Sequence, residues 1–418
     1  MDAAPAVAAP GARIATLDIV RGIAVMGILA MNILGFALPT AAYINPIAYG
    51  SQGPADLASW ALSYVFVDGK MRGLFSFLFG ASMLLVVERA EAAGEDPAMI
   101  HGRRMAWLFG FGLIHYYLIW PGDILSLYAP VGLVAFVFHR WRPRQLIAAA
   151  AVLLALTFFE QLRDALRLFA AQHAALGPGA SAAAIAHYAD LQFGIAPYPA
   201  DILAQMLAIE RGSWTGIVAY NWHYGALGPV GALIDWGPET LAYMMLGMAG
   251  LKSGFLTGAW SNRAYGWTSA IGFGIGVPAY AAFAWLVLRA GFDPPILSLA
   301  TFAGSVPLRP PMIAATAALI ILATRRDGWL TGRIAAAGRA AFTNYLGTSL
   351  VMTTIFQGYG FGLFGHVRRV DLWWFVLAGC AAMLLWSKPW LDRFNYGPFE
   401  WLWRSLARGS PQPMRKRI

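Results

Sequence analysis

The chain has 418 residues, 59% of them hydrophobic and 12% charged, with a mean hydropathy of +0.57. Charge at about half the roughly 25% of an average soluble domain, with the apolar residues in long blocks, excludes an ordinary water-soluble globule and makes lipid the expected solvent. The lone cysteine, Cys380, excludes a disulfide framework or a cysteine zinc site, and the net charge of +9 reads as membrane topology rather than a nucleic-acid footprint.

Residues 1–15 begin Ala- and Pro-rich and read as a disordered tail. Spanning helices are expected near 16–37, 71–88, 104–120, 124–139, 145–159, 238–255, 264–288, 308–324, 340–358 and 372–390. Several are short for a 30 Å hydrocarbon layer, but flanking Arg and Lys side chains snorkel to the interface. Pro294, Pro295, Pro310 and Pro311 make 294–311 a place for a re-entrant segment. Segments 39–70 and 160–237 read as amphipathic stretches on the outer face, the second with Trp222 and Trp236 at headgroup depth. A cleaved leader ending near Ala42 is the competing reading of the first span; Asp18, Arg21 and the length of the apolar run argue against it. Residues 393–418 read as an interfacial tail in which Glu400 and Arg404 form an i, i+4 pair.

The charges orient this arrangement. Of 30 basic residues, 21 fall at the two ends and in one set of loops, among them Arg89, Arg103, Arg104, Arg339 and Arg404. By the positive-inside rule that face is cytoplasmic. The fold class expected is therefore all-α: a polytopic integral membrane protein of about ten transmembrane helices, one membrane domain over 16–392, with both termini in the cytoplasm and the bilayer a bacterial inner membrane.

A charge within hydrocarbon costs at least roughly 2.5 to 3.5 kcal/mol, so polar residues inside spans are the candidates for function. Asp18 and Arg21 share a helix face, either as an anion or cofactor-phosphate site or as an intrahelical pair that anchors the helix start. Asn32 lies three turns further along that face. His115 stands in an apolar span just before a tight outer turn holding Asp123, which suits Asp123 either to cap the next helix or to orient His115 as a base. Thr343, Asn344, Tyr345, Thr348 and Ser349 make the ninth span polar, as a pocket lining or as interhelical glue. There is no Walker A loop, Rossmann glycine fingerprint, paired-histidine zinc motif or nucleophile elbow, which argues against an ATP-driven pump and against a metal site.

The run from Leu17, Asp18, Ile19, Val20, Arg21 and Gly22 to Met31 and Asn32 resembles the start of the YeiB-like bacterial membrane proteins, domain of unknown function 418. Gly112 to His115, Trp120 to Leu125, Gly338 to Leu346, Gly360 to Gly365 and Gly397 to Arg404 are similar to that family's later motifs. The first-span pattern also resembles that of transmembrane acyltransferases, including the acyltransferase-3 proteins and the lysosomal heparan glucosaminide acetyltransferases. In acyltransferase-3 proteins an arginine is followed, ten residues intervening, by a histidine; here Arg21 keeps its place and Asn32 stands where the histidine would be. The resemblance implies an acyltransferase that moves an acyl group from cytoplasmic acyl-CoA, a co-substrate rather than a tightly bound cofactor, to a glycan or lipid acceptor across the membrane. His115 would act as base with Asp123 holding its ring; Asp18, Arg21, Arg103 and Arg104 would engage the donor, and Asn32 or Asn344 the developing oxyanion. Membrane lipids are the expected partners, nucleic acid is not, and a homodimer is left open. A transporter or flippase using Asp18, His115 and Asp123 as a proton relay explains the same polar residues. A structural or assembly partner is the third reading.

Overall fold

The computed structural model describes residues 14–51, 53–326 and 328–416. The tail expected over 1–15 therefore lies, up to residue 13, outside the described residues, as do Asp327 and Arg417. Among the described residues there are eighteen α-helices and no named strand. They are α1 (Ala15–Ala37), α2 (Ala41–Ile44), α3 (Pro54–Phe66), α4 (Lys70–Ala92), α5 (Pro97–Leu118), α6 (Leu125–Val137), α7 (Pro143–Leu176), α8 (Ala182–Leu191) and α9 (Ala200–Glu210). The second half adds α10 (Trp214–Tyr224), α11 (Gly228–Lys252), α12 (Asn262–Arg289), α13 (Pro294–Ser298), α14 (Arg309–Ala323), α15 (Trp329–Arg339), α16 (Ala341–Phe356), α17 (Leu372–Arg393) and α18 (Pro398–Arg408).

Helix starts follow local chemistry. Proline, whose missing N–H is harmless in the first turn, opens α3, α5, α7 and α18. Asp96, Ser181, Ser213 and Ser261 accept backbone N–H groups at the starts of α5, α8, α10 and α12. Each expected span falls on a helix, and among the described residues five segments are long and apolar enough to cross a membrane: α1, Pro54–Ala92, α7, α12 and α17. The protein is thus an all-helical membrane protein. Leu156, Phe159, Ile271, Trp285, Trp374 and Leu385 are exposed on α7, α12 and α17, as expected where lipid is the solvent.

The structure corrects the sequence reading at one boundary and adds detail at two other places. The fifth span does not end at 159: α7 continues to Leu176, a length of about 51 Å at 1.5 Å per residue, because nothing in 160–176 breaks a helix. Segment 39–70 is divided, and α3 is separated from α4 by a turn at Val67–Gly69 in which Gly69 takes a positive φ of 68°. The proline-rich stretch is also interrupted, α13 passing into a π-helical turn at Leu299–Ala303 before α14 begins at Arg309.

Helix α1 is central and packs on α4, α15, α16 and α17. Its contact with α15 requires glycine on both sides. A Cβ on Gly22 would lie 2.1 Å from the Ile334 carbonyl oxygen, and one on Gly338 would lie 1.8 Å from that of Asp18. Small residues at such crossings bring backbones together where lipid supplies no hydrophobic drive. The result holds the Asp18–Arg21 turn of α1 against the end of α15.

Candidate functional site

The close packing of α5 on α6 builds the first part of the site. Gly112 lets α5 approach so closely that a Cβ there would sit 2.3 Å from the Ser126 backbone nitrogen. One turn on, His115 is completely buried, and its Nδ1 lies 2.8 Å from Asp123 Oδ1. Asp123 Oδ2 meanwhile accepts from the Ser126 N–H at 2.6 Å. One carboxylate thus performs both jobs left open by the sequence, capping the start of α6 and holding the imidazole. An ionised carboxylate only accepts, so Nδ1 carries the proton and Nε2 is left with a lone pair. Nε2 has no hydrogen-bond partner among the described residues. Rings of Trp120 and Tyr345 flank the imidazole, with centroids 6.4 and 5.3 Å away.

Beside this pair lies a cavity of about 670 Å³, within the usual size of a small-molecule or cofactor site. Asp18, Arg21, Arg89, Arg104, Arg339 and Arg404 line its charged part; Phe75, Phe79, Leu108, Leu125 and Tyr128 line its apolar part. Arg21 donates to Asp18 Oδ1 at 2.9 Å and to Ser82 Oγ at 2.7 Å, joining α1 to α4. Leu125 and Tyr345 also line the cavity, so it reaches the neighbours of His115 and Asp123 while the two themselves stay behind them. The Tyr345 hydroxyl accepts from the Ile124 N–H at 3.2 Å, which fixes the phenol as the partition.

The remaining sequence candidates divide. Arg104 lines the cavity, whereas Arg103 is exposed and outside it. Asn32 lines a crevice of about 10 Å³ with Tyr345, Thr348 and Ser349, on the other side of the phenol. Asn344 joins helices: its amide donates to the Ala337 carbonyl at 3.0 Å and to Ser387 at 3.3 Å, and its oxygen accepts from Trp386 at 2.8 Å. Glu400 does not use its oxygens on Arg404. It accepts from the Phe342 and Thr343 N–H groups at 2.7 and 3.0 Å and from the Thr343 hydroxyl at 2.5 Å, capping α16 from α18. Burial raises its carboxyl pKa above the ordinary carboxylate value.

Sequence reasoning missed a second polar cluster. Glu239, 1% exposed, is ion-paired to Arg72 and to Arg309, the latter at 2.7 Å, and accepts from Tyr243 at 2.7 Å. Lys70 donates to the Tyr64 carbonyl and stands 3.4 Å above the Tyr280 ring. Each charge sits at or near the end of an apolar run, so each alone reads as an interfacial anchor. The signal was their number: four charges at the starts of three spans.

The chain is 32% identical to the Uncharacterized protein YeiB of Escherichia coli (strain K12) over 95% of this chain and 97% of the relative. It is also 32% identical to the Uncharacterized protein YxaH of Bacillus subtilis (strain 168), over 97% and 96%. The chain belongs to the YeiB-like family. A relative from Bacillus acidopullulyticus, "Uncharacterized 39.9 kDa protein in amylase 3'region", is 26% identical over 96% of both chains. The family model described as "Protein of unknown function (DUF418)" matches residues 251–410. In this YeiB-like chain that stretch contains Arg339, Tyr345, Glu400 and Arg404 of the cavity wall, while the His115–Asp123 pair lies before it. No solved structure matches the chain.

Proposed function

We propose that this YeiB-like protein is an inner-membrane acyltransferase that uses cytoplasmic acyl-CoA as donor and a glycan or lipid on the far side as acceptor. The observation that carries the reading is the buried His115–Asp123 pair, with Nε2 lacking a hydrogen-bond partner, directly behind Leu125 and Tyr345 in the wall of a cavity that five arginines also line. The five cavity arginines, Arg21, Arg89, Arg104, Arg339 and Arg404, all belong to the basic set that the positive-inside rule assigns to the cytoplasm. Ten spans with both termini inside put the donor's phosphates on that face. From Arg104 to His115 is eleven residues of α5, about 16 Å, so a donor anchored at the arginines reaches the imidazole only with an extended arm.

In the reaction, His115 Nε2 takes the proton of an acceptor hydroxyl, whose oxygen attacks the thioester carbonyl. A C–O bond forms, the C–S bond breaks, and the proton leaves on the thiolate sulfur. Asp123 holds the imidazole in the required tautomer, and Asn32, which shares a crevice with Tyr345, would donate to the oxyanion once Tyr345 has moved. Tyr345 must move for donor and base to meet. Proteoliposomes given radiolabelled acetyl-CoA and a bacterial membrane extract should label a glycan or lipid; absence of any labelled product across acyl-chain lengths would reject the reading.

One observation favours transport as the second reading. The break between α3 and α4, Pro238 within α11 and the π-helical turn before α14 all lie next to the Arg72–Glu239–Arg309 cluster, and interrupted helices mark transport sites. Solute flux through proteoliposomes without any acyl donor distinguishes the two.

A further inference from the structure

The acidic groups at the cavity mouth are already engaged. Asp18 is paired with Arg21, and both Glu400 oxygens are held by the start of α16. Arg89 of α4, Arg104 of α5 and Arg404 of α18 line the same cavity and, among the described residues, none of the three is in an ion pair. Arg104 and Arg404 instead lie over aromatic faces, 4.1 Å from the Trp403 centroid and 4.8 Å from that of Tyr396. Three cations from three helices on one concave wall repel one another unless an anion lies between them.

The wall is built rather than draped. The Trp403 indole N–H donates to the Arg104 carbonyl at 2.9 Å, fixing α18 against α5. The chain after α18 returns to hold it: Trp401 donates to the Gln412 carbonyl at 2.7 Å, and the Asn395 amide donates to the carbonyls of Pro413 and Arg415 at 2.9 and 3.1 Å. Inward from the arginines the lining turns apolar at Phe79 and Leu108.

We propose that Arg89, Arg104 and Arg404 bind a phosphate-bearing head group whose apolar chain runs inward between Phe79 and Leu108, which makes the C-terminal segment part of the ligand site. The assignment rests on reading this cavity as a donor site, and guanidinium forks suit phosphate oxygens. The head group has two sources, a soluble coenzyme A thioester or an anionic lipid.

The test uses the full chain in nanodiscs. In zwitterionic phosphatidylcholine discs, coenzyme A is titrated against pantetheine, which lacks the phosphates; in a second arm the discs contain phosphatidic acid. The expected result is binding of coenzyme A or of phosphatidic acid but not pantetheine, weakened by salt. An Arg104→Gln/Arg404→Gln double variant should lose at least about tenfold in affinity, and the charge-retaining Lys pair less, which separates ligand loss from misfolding. Binding of neither phosphate probe, or equal affinity in a monodisperse Gln double variant, overturns the site. Arginine-dependent binding of phosphatidic acid alone supports the site and rejects acyl-CoA as donor. Acyl transfer with unchanged KM in the Gln double variant supports the transferase and rejects the site.

Discussion

Replacing Asp123 separates its two roles, because asparagine preserves one and reverses the other. If the amide of Asp123→Asn turns its oxygen to the Ser126 N–H, now 2.6 Å from Oδ2, its N–H₂ group faces His115 Nδ1, 2.8 Å from Oδ1. Nδ1 must then accept, so the ring proton moves to Nε2 and the base is lost. A positioned general base contributes about 10² to 10⁴ in rate, and Asp123→Asn should lose a factor in that range. Its stability should change by no more than about 1 kcal/mol, since Nδ1 and the Ser126 N–H each keep a partner and Nε2 has none in either protein. Asp123→Ala instead removes a cap, about 0.5 to 2 kcal/mol, and strands a buried imidazole N–H, about 1 to 3 kcal/mol, for a total near 3 kcal/mol. Turnover of labelled acyl-CoA, thermal unfolding in detergent and NMR of isotope-labelled histidine read the three quantities. Wild-type turnover in Asp123→Asn, or an unchanged histidine tautomer, would refute the reasoning.

Tyr345→Ala should open the partition and let diethyl pyrocarbonate modify His115, which is inaccessible in the parent chain; protection from modification in both proteins, read by mass spectrometry, would count against the partition. Glu239→Gln leaves Arg72 and Arg309 buried without their anion, and should destabilise the protein by about 3 to 5 kcal/mol in detergent unfolding, whereas a loss under about 1 kcal/mol would show that the cluster is solvated. Burial lifts the Glu400 pKa above its ordinary 4.5, so the folded chain keeps that proton to higher pH than the unfolded chain does. The sign follows: its contribution to stability is full below pH 4.5 and is lost as pH rises through the raised value. In Glu400→Gln this falling limb of Tm against pH should disappear, and an unchanged slope would assign it to another group.

Local chemistry was legible in the sequence and long-range chemistry was not. The Asp18–Arg21 pair follows from i, i+3 spacing, and His115 and Asp123 are only eight residues apart across a turn too tight to separate them. The gluing role of Asn344 was one of two readings of a polar stripe, and its three hydrogen bonds to α15 and α17 decide it. Glu239 meets Arg72 and Arg309 across 167 and 70 residues, a pairing no helical periodicity encodes. Glu400 misled for the same reason: its near neighbour Arg404 satisfied the spacing rule, while the helix start it caps is 57 residues away. The cavity itself depends on helices from both ends of the chain meeting, so Arg21 and Arg104 were legible as donor candidates while Arg89, Arg339 and Arg404 were visible only within a cytoplasmic charge count.

The central claim is that His115 is the base of an acyl transfer, and one paired measurement on proteoliposomes tests it most directly. The parent chain and His115→Ala are given labelled acetyl-CoA on the arginine side, and labelled acceptor is counted beside release of free coenzyme A. The account predicts labelled product and thiol release from the parent chain, with both reduced at least about a hundredfold in His115→Ala. Full transfer by His115→Ala would contradict it.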